Sequence, residues 1–320
     1  MKGKVYVVNA YVPNGGTLMA YHMAVILHRD FGYEVCVLTD RCGPDHGIFV
    51  YEPVFETKPL ADIDKLITAR DILICNPSFS THNFGLRFDC LKIMYVQGFT
   101  TFSLIDRFFD HYVSVSGFVQ NFLSSTYDLH TRVIPPFISL NAHSPALGWL
   151  DRPEGSLALN LKGSYDLQSL LLERIRQRMT IIAPQVEAGI DWEKALQLSA
   201  TKLPHGDMLR RLGEVRYLLS LAVGEGFGLV PLEAMGMGTT VVGFDGFGGR
   251  DYVRHGDNCA LRAYPDIDGV ADDLVRVLTD TGYAQSLARK GRETANLYTY
   301  ERFRAAWIEE FQQAFRRKGF

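Results

Sequence analysis

Short apolar runs alternate along the chain with stretches whose apolar positions recur every three to four residues. Val5-Tyr6-Val7-Val8, bounded by Lys4 and Asn9, is the first such run and predicts a strand covered on both faces. After the loop Pro13-Asn14-Gly15-Gly16, residues 17–29 set Met19, Met23, Ile26 and Leu27 at helical spacing, and residues 34–39 return to a strand pattern. The alternation predicts further strands over 71–75, 92–96, 111–115 and 131–134, so one doubly wound α/β domain closes by about residue 140.

Proline and small residues then gather around Pro135-Pro136, Pro145 and Pro153, which favours an extended linker. A second series follows, with strands predicted over 156–161, 179–183, 217–223 and 239–244 and helices between them. Two Rossmann-like domains result, 1–140 and 141–300. Residues 301–317 bring Phe303, Trp307, Ile308, Phe311 and Phe315 to one helical face, which must find an apolar partner on its own domain or back on the first.

Composition narrows the function classes. With 320 residues, two domains can each bury a core. The 33 Lys+Arg against 36 Asp+Glu leave a net charge of −3, without the clustered cations that nucleic-acid binding needs. The five cysteines, Cys36, Cys42, Cys75, Cys90 and Cys259, form no C-x-x-C pair, which argues against a zinc knuckle and for reduced thiols in the cytoplasm. No window approaches the ~18 apolar residues of a membrane span. The tail Arg316-Arg317-Lys318 offers a peripheral contact with the membrane inner face, although terminal cations are more often simply solvated.

The most informative stretch is Gly224-Glu225-Gly226-Phe227-Gly228-Leu229-Val230-Pro231-Leu232-Glu233, directly after an apolar strand. Gly226 and Gly228 let backbone N–H groups approach a ligand closely, and a helix starting near Leu229 adds unsatisfied donors and a positive dipole end. Pro231 falls in the first helical turn, where a missing N–H does no harm. This combination suits a phosphate or diphosphate. Glu225 in the loop can accept hydrogen bonds from sugar hydroxyls, and Glu233 on the helix can hold vicinal ribose hydroxyls. The same pattern also fits a plain turn followed by a surface helix residue; the strand, glycine loop and helix around it favour the nucleotide-sugar reading.

The stretch resembles the donor half of group-1, retaining glycosyltransferases with an E-x7-E motif, and the likeness continues through Gly238-Thr-Thr-Val-Val-Gly243, Gly248-Gly249-Arg250-Asp251 and Gly256. It reaches Val133-Ile-Pro-Pro136, Ser114-Val-Ser116 and the Gly15-Gly16 loop. The resemblance implies a GT-B α/β fold, two Rossmann-like doubly wound domains facing a central cleft, with the acceptor (a saccharide, a lipid-linked or another hydroxyl) on the first and the donor on the second. It implies that Glu225 and Lys162 are catalytic, with Glu225 on the donor sugar, Glu233 on the ribose, and Gly226, Phe227, Gly228 and Leu229 around the diphosphate. The activity implied is metal-independent, retaining hexosyl transfer from a nucleoside-diphosphate sugar, with no cofactor. An epimerase on the same fold and a catalytically silent nucleotide-sugar-binding subunit are the alternatives.

Two departures stand out. Lys162-Gly163 matches the family's diphosphate lysine, but Ala158-Leu159-Asn160-Leu161 lacks its arginine; Arg250, Arg210 or Arg211 are candidate substitutes. Near the expected acceptor side, Gln97 stands where the family often has a histidine, and an amide cannot titrate near neutral pH. His22 is an alternative there, although it shares a face with Leu18 and Ile26, as a structural residue would. The triplets Asp62-Ile-Asp64 and Asp266-Ile-Asp268 both precede helical patterns, over 65–69 and 270–278, and are taken as helix caps rather than metal ligands. Gly224, Gly226 and Gly228 with Asp245 mimic a nicotinamide fingerprint weakly, because Leu229 stands where its third glycine should be. Phe99, Phe102, Phe108 and Phe109 fit either a core or an acceptor-facing surface.

Overall fold

The computed structural model describes residues 3–9, 14–40, 53–80, 83–139, 145, 147–163, 165–198 and 204–319. Cys42 and Pro13 lie outside the described residues. The chain forms two units, Met1–Pro136 with Tyr300–Phe320, and Phe137–Thr299.

Unit 1 runs β1 (Val5–Val8), α1 (Gly15–Arg29), β2 (Val35–Thr39), β3 (Glu56–Pro59), α2 (Ile63–Leu66), β4 (Ile72–Cys75), β5 (Leu91–Val96), β6 (His111–Ser114), α3 (Gly117–Tyr127) and β7 (Arg132–Val133). Its seven strands lie in the order β3-β2-β1-β4-β5-β6-β7. All pairings are parallel, with Val5 of β1 opposite both Val35 of β2 and Ile72 of β4. The central strands β1, β2, β4 and β5 are buried at every position, as expected of a sheet covered on both faces. Edge strand β3, Glu-Thr-Lys-Pro, is largely exposed and has no apolar signature, so apolar patterning misses it. Its proline is tolerated because the outer side of an edge strand makes no ladder bonds.

The last helix of the chain belongs to unit 1. Its Trp307 and Phe311 are fully buried, with Trp307 edge-on to Tyr95 of β5 (centroids 5.0 Å apart). Phe311 and Phe315 meet Phe31 just after α1 at 6.0 and 5.3 Å, Arg304 pairs with Asp30, and Lys318 reaches Asp110 at 2.9 Å.

Unit 2 runs β8 (Leu157–Asn160), α4 (Tyr165–Ile182), α5 (Pro184–Ala188), β9 (Leu196–Gln197), α6 (His205–Leu212), β10 (Tyr217–Ser220), α7 (Leu229–Gly236), β11 (Thr240–Phe244), β12 (Ala260–Arg262), α8 (Ile267–Thr279) and α9 (Thr281–Ala295), and the chain then enters α10 (Tyr300–Lys318) of unit 1. The sheet order is β12-β11-β10-β8-β9, again parallel throughout.

Two expectations are corrected here. Residues 179–183 are not a strand: the β-branched Thr180-Ile181-Ile182 ends α4, whose Leu171, Ile175 and Met179 are buried at four-residue spacing while Ile181 is 76% exposed. Helical periodicity over the whole segment outweighs local strand propensity. The proline-rich stretch is also not an open linker to its end, because Trp149 and Arg152 are buried in unit 2. Among the described residues, no helix is long and apolar enough to cross a membrane.

Candidate functional site

The loop between β10 and α7 is held by the next loop along the sheet. Glu225 N donates to Gly246 O (2.9 Å) and Gly248 N donates to Glu225 O (3.1 Å), closing one loop on the other. A Cβ at Gly248 would stand 2.1 Å from Gly226 O, so the approach requires glycine. Asp245 secures the second loop by accepting from Phe247 N (2.9 Å) and Arg250 Nε (2.8 Å).

Beneath the loop, Phe227 is buried against Tyr252 and Tyr298, with ring centroids at 5.4 and 5.5 Å. Burial raises the Tyr252 phenol well above its usual value, so it stays protonated and donates to Gly228 O at 2.6 Å. Gly228, at φ 84°, is the N-cap of α7 and supplies no side-chain cap bond. The first N–H groups of α7 therefore lack a side-chain acceptor at the cap, and half-buried Leu229 and Val230 carry them. Pro231, third in the helix, forgoes only a donor that would be orphaned anyway.

Lys162 arrives from the end of β8. Its Nζ bonds Glu225 at 3.0 Å; the lysine side chain is 68% exposed and that of Glu225 only 17%. The lysine's backbone is fixed by buried Gln168, whose Nε2 donates to Lys162 O (3.1 Å), and Gly163 turns the chain at φ 143°. Asn160, at the end of β8 in the segment without the expected arginine, is buried and donates from Nδ2 to Ser220 Oγ at 3.0 Å, tying β8 to β10.

Glu233 is buried rather than a surface helix residue, and its Oε1 accepts from His205 Nε2 at 2.6 Å. Burial opposes protonation of that imidazole, but the hydrogen bond and charge of Glu233 outweigh it, so the His205 pKa is raised. His205 opens α6 and was not singled out in the sequence, where only the arginines after it drew attention. Of the three candidate arginines, Arg210 pairs with Asp207 and Glu214 and Arg250 with Asp245, while Arg211 is exposed on α6.

The other candidates belong to unit 1. Asn14 caps α1 by accepting from Thr17 N (2.8 Å), and Gln97 Nε2 donates to Gly16 O at 3.0 Å, so Gly15, Gly16 and Gln97 come together. His22 lies further along α1, its ring against Tyr21 and Tyr300 with centroids at 5.3 and 5.4 Å. Burial, helped by nearby Arg29, pushes its pKa down to about 4. The two acidic triplets differ. Asp266 caps α8 through Gly269 N (3.0 Å), whereas Asp62 makes no cap bond and pairs with Lys65, and Asp64 pairs with Arg87. A short helix beginning at Ile63 leaves Asp62 facing Lys65 instead of an N–H group.

Comparison with family models matches a segment of unit 2. Residues 189–294 match the model of glycosyl transferases group 1, a span that includes Glu225, Glu233 and His205 but not Lys162. A 91-residue stretch is 35% identical to N-acetyl-alpha-D-glucosaminyl L-malate synthase of Bacillus anthracis, covering 28% of this chain and 23% of that protein. Among solved structures, HepE of Anabaena in complex with UDP-glucose superposes with a TM-score of 0.74 at 15% identity, over 97% of this chain and 99% of that one. Sucrose-phosphate synthase of Thermosynechococcus elongatus gives 0.73 at 15% identity, over 98% and 99%. The chain thus has the GT-B fold, and its segment 189–294 carries the group 1 glycosyltransferase pattern.

Proposed function

We propose that the protein transfers a hexosyl group from a nucleoside-diphosphate sugar to an acceptor hydroxyl, with retention of configuration and without a metal ion. The reading is carried by one observation: a strand ends in a glycine loop whose Glu225 pairs with Lys162 at 3.0 Å and which runs into a helix start without a side-chain cap. Helix N–H groups and a lysine are the partners a diphosphate takes. On donor arrival Lys162 exchanges Glu225 for the leaving phosphate, and Glu225 is released to accept hydroxyl hydrogens of the sugar. Glu233 holds the ribose; His205 engages one of its oxygens, leaving acceptor capacity for vicinal hydroxyls. His205 is a positioning residue in this scheme.

The attacking hydroxyl gives its proton to the leaving phosphate oxygen on the same face of the sugar. His22, with a pKa near 4, is too weak a base for that task, and Gln97 with Gly16 orients the acceptor without titrating. Engagement of the acidic triplets with Lys65, Arg87 and Gly269 N supports metal independence. The HepE complexes with UDP and UDP-glucose favour uridine as the base.

Calorimetric titration with UDP, GDP, dTDP and ADP, followed by product analysis in the presence of chelator, tests the reading. UDP binding and chelator-resistant transfer are expected, and Lys162→Ala is expected to lower turnover at least about tenfold, as loss of ~1.4 kcal/mol of charge stabilisation would. An epimer formed from donor alone would replace transfer with epimerisation. Binding without turnover across a broad acceptor panel would make the protein a binding subunit.

A further inference from the structure

A cavity lies at the end of unit 2's strands opposite the candidate donor loop. It has a volume of about 690 Å³ and is walled by Leu147, Trp149, Arg152, Ala288, Arg289 and Arg292 among others. Trp149 Nε1 donates to Thr240 Oγ1, on the first residue of β11, and Arg152 Nη1 donates to Val215 O, just before β10. The candidate donor loop leaves the opposite end of β10, about 13 Å away for a four-residue strand.

Arg152 is 2% exposed, and its hydrogen-bond acceptors are neutral. Nη1 also reaches Thr239 Oγ1 (3.0 Å), Nη2 reaches Met237 O (2.6 Å), and buried Nε has no hydrogen-bond partner. Among the described residues it has no carboxylate partner. Burial, with the nearby Arg292 charge, lowers its pKa to about 10. The carbonyl end of α7, reached through Met237 O, offsets part of the charge. It does nothing for Arg292, which is exposed on α9 and has no ion-pair partner among the described residues, whereas Arg289 is paired with Glu293 at 2.7 Å.

A buried guanidinium is ordinarily matched by a carboxylate or phosphate, because its desolvation is otherwise uncompensated. Here the wall of a ligand-sized cavity carries a second guanidinium, and the one carboxylate on that wall among the described residues, Glu293, is held by Arg289 at 2.7 Å. Leu147, 40% exposed, with Trp149 and Ala288, gives that cavity an apolar wall.

We propose that this cavity is a second ligand site, separate from the donor loop, that takes a small organic phosphate with its anionic group between Arg152 and Arg292 and its carbon body on Leu147, Trp149 and Ala288. The site stands whether or not the donor reading does, since none of these residues belongs to that loop.

The test titrates the full chain with phenyl phosphate, followed by calorimetry and tryptophan fluorescence. Saturable binding is expected, weakened at least about tenfold in Arg292→Gln and abolished in Leu147→Asp, which puts a carboxylate into the same cavity. UDP affinity is expected to be the same in both variants as in the parent. Absence of saturable binding, or equal binding to the parent and Arg292→Gln, would overturn the site. Displacement of phenyl phosphate by UDP would return the ligand to the donor loop. Equal affinity for benzoate would overturn the preference for phosphate, and equal affinity for inorganic phosphate would remove the apolar wall from the recognition.

Discussion

Each unit has a helix that starts beside a glycine, α1 and α7, and the two helix starts are treated differently. In unit 1 the chain answers its own helix start: Asn14 Oδ1 accepts from Thr17 N, and Gln97, just past β5, donates from Nε2 to Gly16 O. In unit 2 the N-cap of α7 is Gly228, which has no side chain to offer, while a cation and two carboxylates stand near the same loop and helix. The first helix start is capped from within unit 1, whereas the second has no side-chain cap. The glycines differ for the same reason. A Cβ on Gly16 would lie 3.0 Å from Gln97 Oε1, the end of a flexible side chain, but one on Gly248 would lie 2.1 Å from the Gly226 backbone.

The largest test of that contrast is Gly248→Ala beside Gly16→Ala. The first is expected to force the two unit 2 loops apart, at about 1–3 kcal/mol of overpacking, and to abolish nucleotide binding. At roughly 2–4 °C per kcal/mol, its Tm should fall several degrees, while Gly16→Ala should stay within about one degree. Equal shifts in thermal unfolding would mean that the two loops are constrained alike.

A smaller effect is expected from Glu233→Gln, which should weaken UDP binding about tenfold, or ~1.4 kcal/mol, by calorimetry. Gln97→Ala should leave that affinity unchanged and alter only the acceptor KM. An unchanged UDP affinity in Glu233→Gln would remove the ribose role and leave His205–Glu233 as a structural pair.

The smallest effect separates the two histidines by pH. His205 has a raised folded pKa, so its stabilisation is fully present below about pH 6.5 and is lost as pH rises through the folded value. His22, lowered to about 4, does the reverse: its contribution is present above about pH 6.5 and is lost as pH falls toward 4. The Tm difference between parent and His205→Asn should be larger at acid than at alkaline pH by roughly a degree or two, and that for His22→Asn larger at neutral than at acid pH. Slopes of the same sign would contradict the assigned environments.

Much of this was legible in one dimension. The buried strands β1, β4 and β5 announce themselves as apolar runs, and the 224–233 stretch carries its chemistry in consecutive residues. Edge strand β3 was not legible, because Glu56-Thr57-Lys58-Pro59 pairs with β2 without burying an apolar face. Residues 179–183 misled for the opposite reason, since a β-branched triplet sits at the end of a helix whose buried face lies upstream.

The partners in the candidate site were harder to see. Lys162 and Glu225 are 63 positions apart, and His205 and Glu233 are 28. By itself the sequence determined the two alternating α/β series, the amphipathic last helix and the glycine-led loop with its acids, because periodicity and backbone freedom are properties of residues a few positions apart. Only the tertiary structure decided that the last helix joins unit 1, that Glu233 is buried on His205, and that Arg152 and Arg292 line one cavity. Those pairings follow from the order of strands in each sheet, which brings distant segments side by side and which no local pattern encodes.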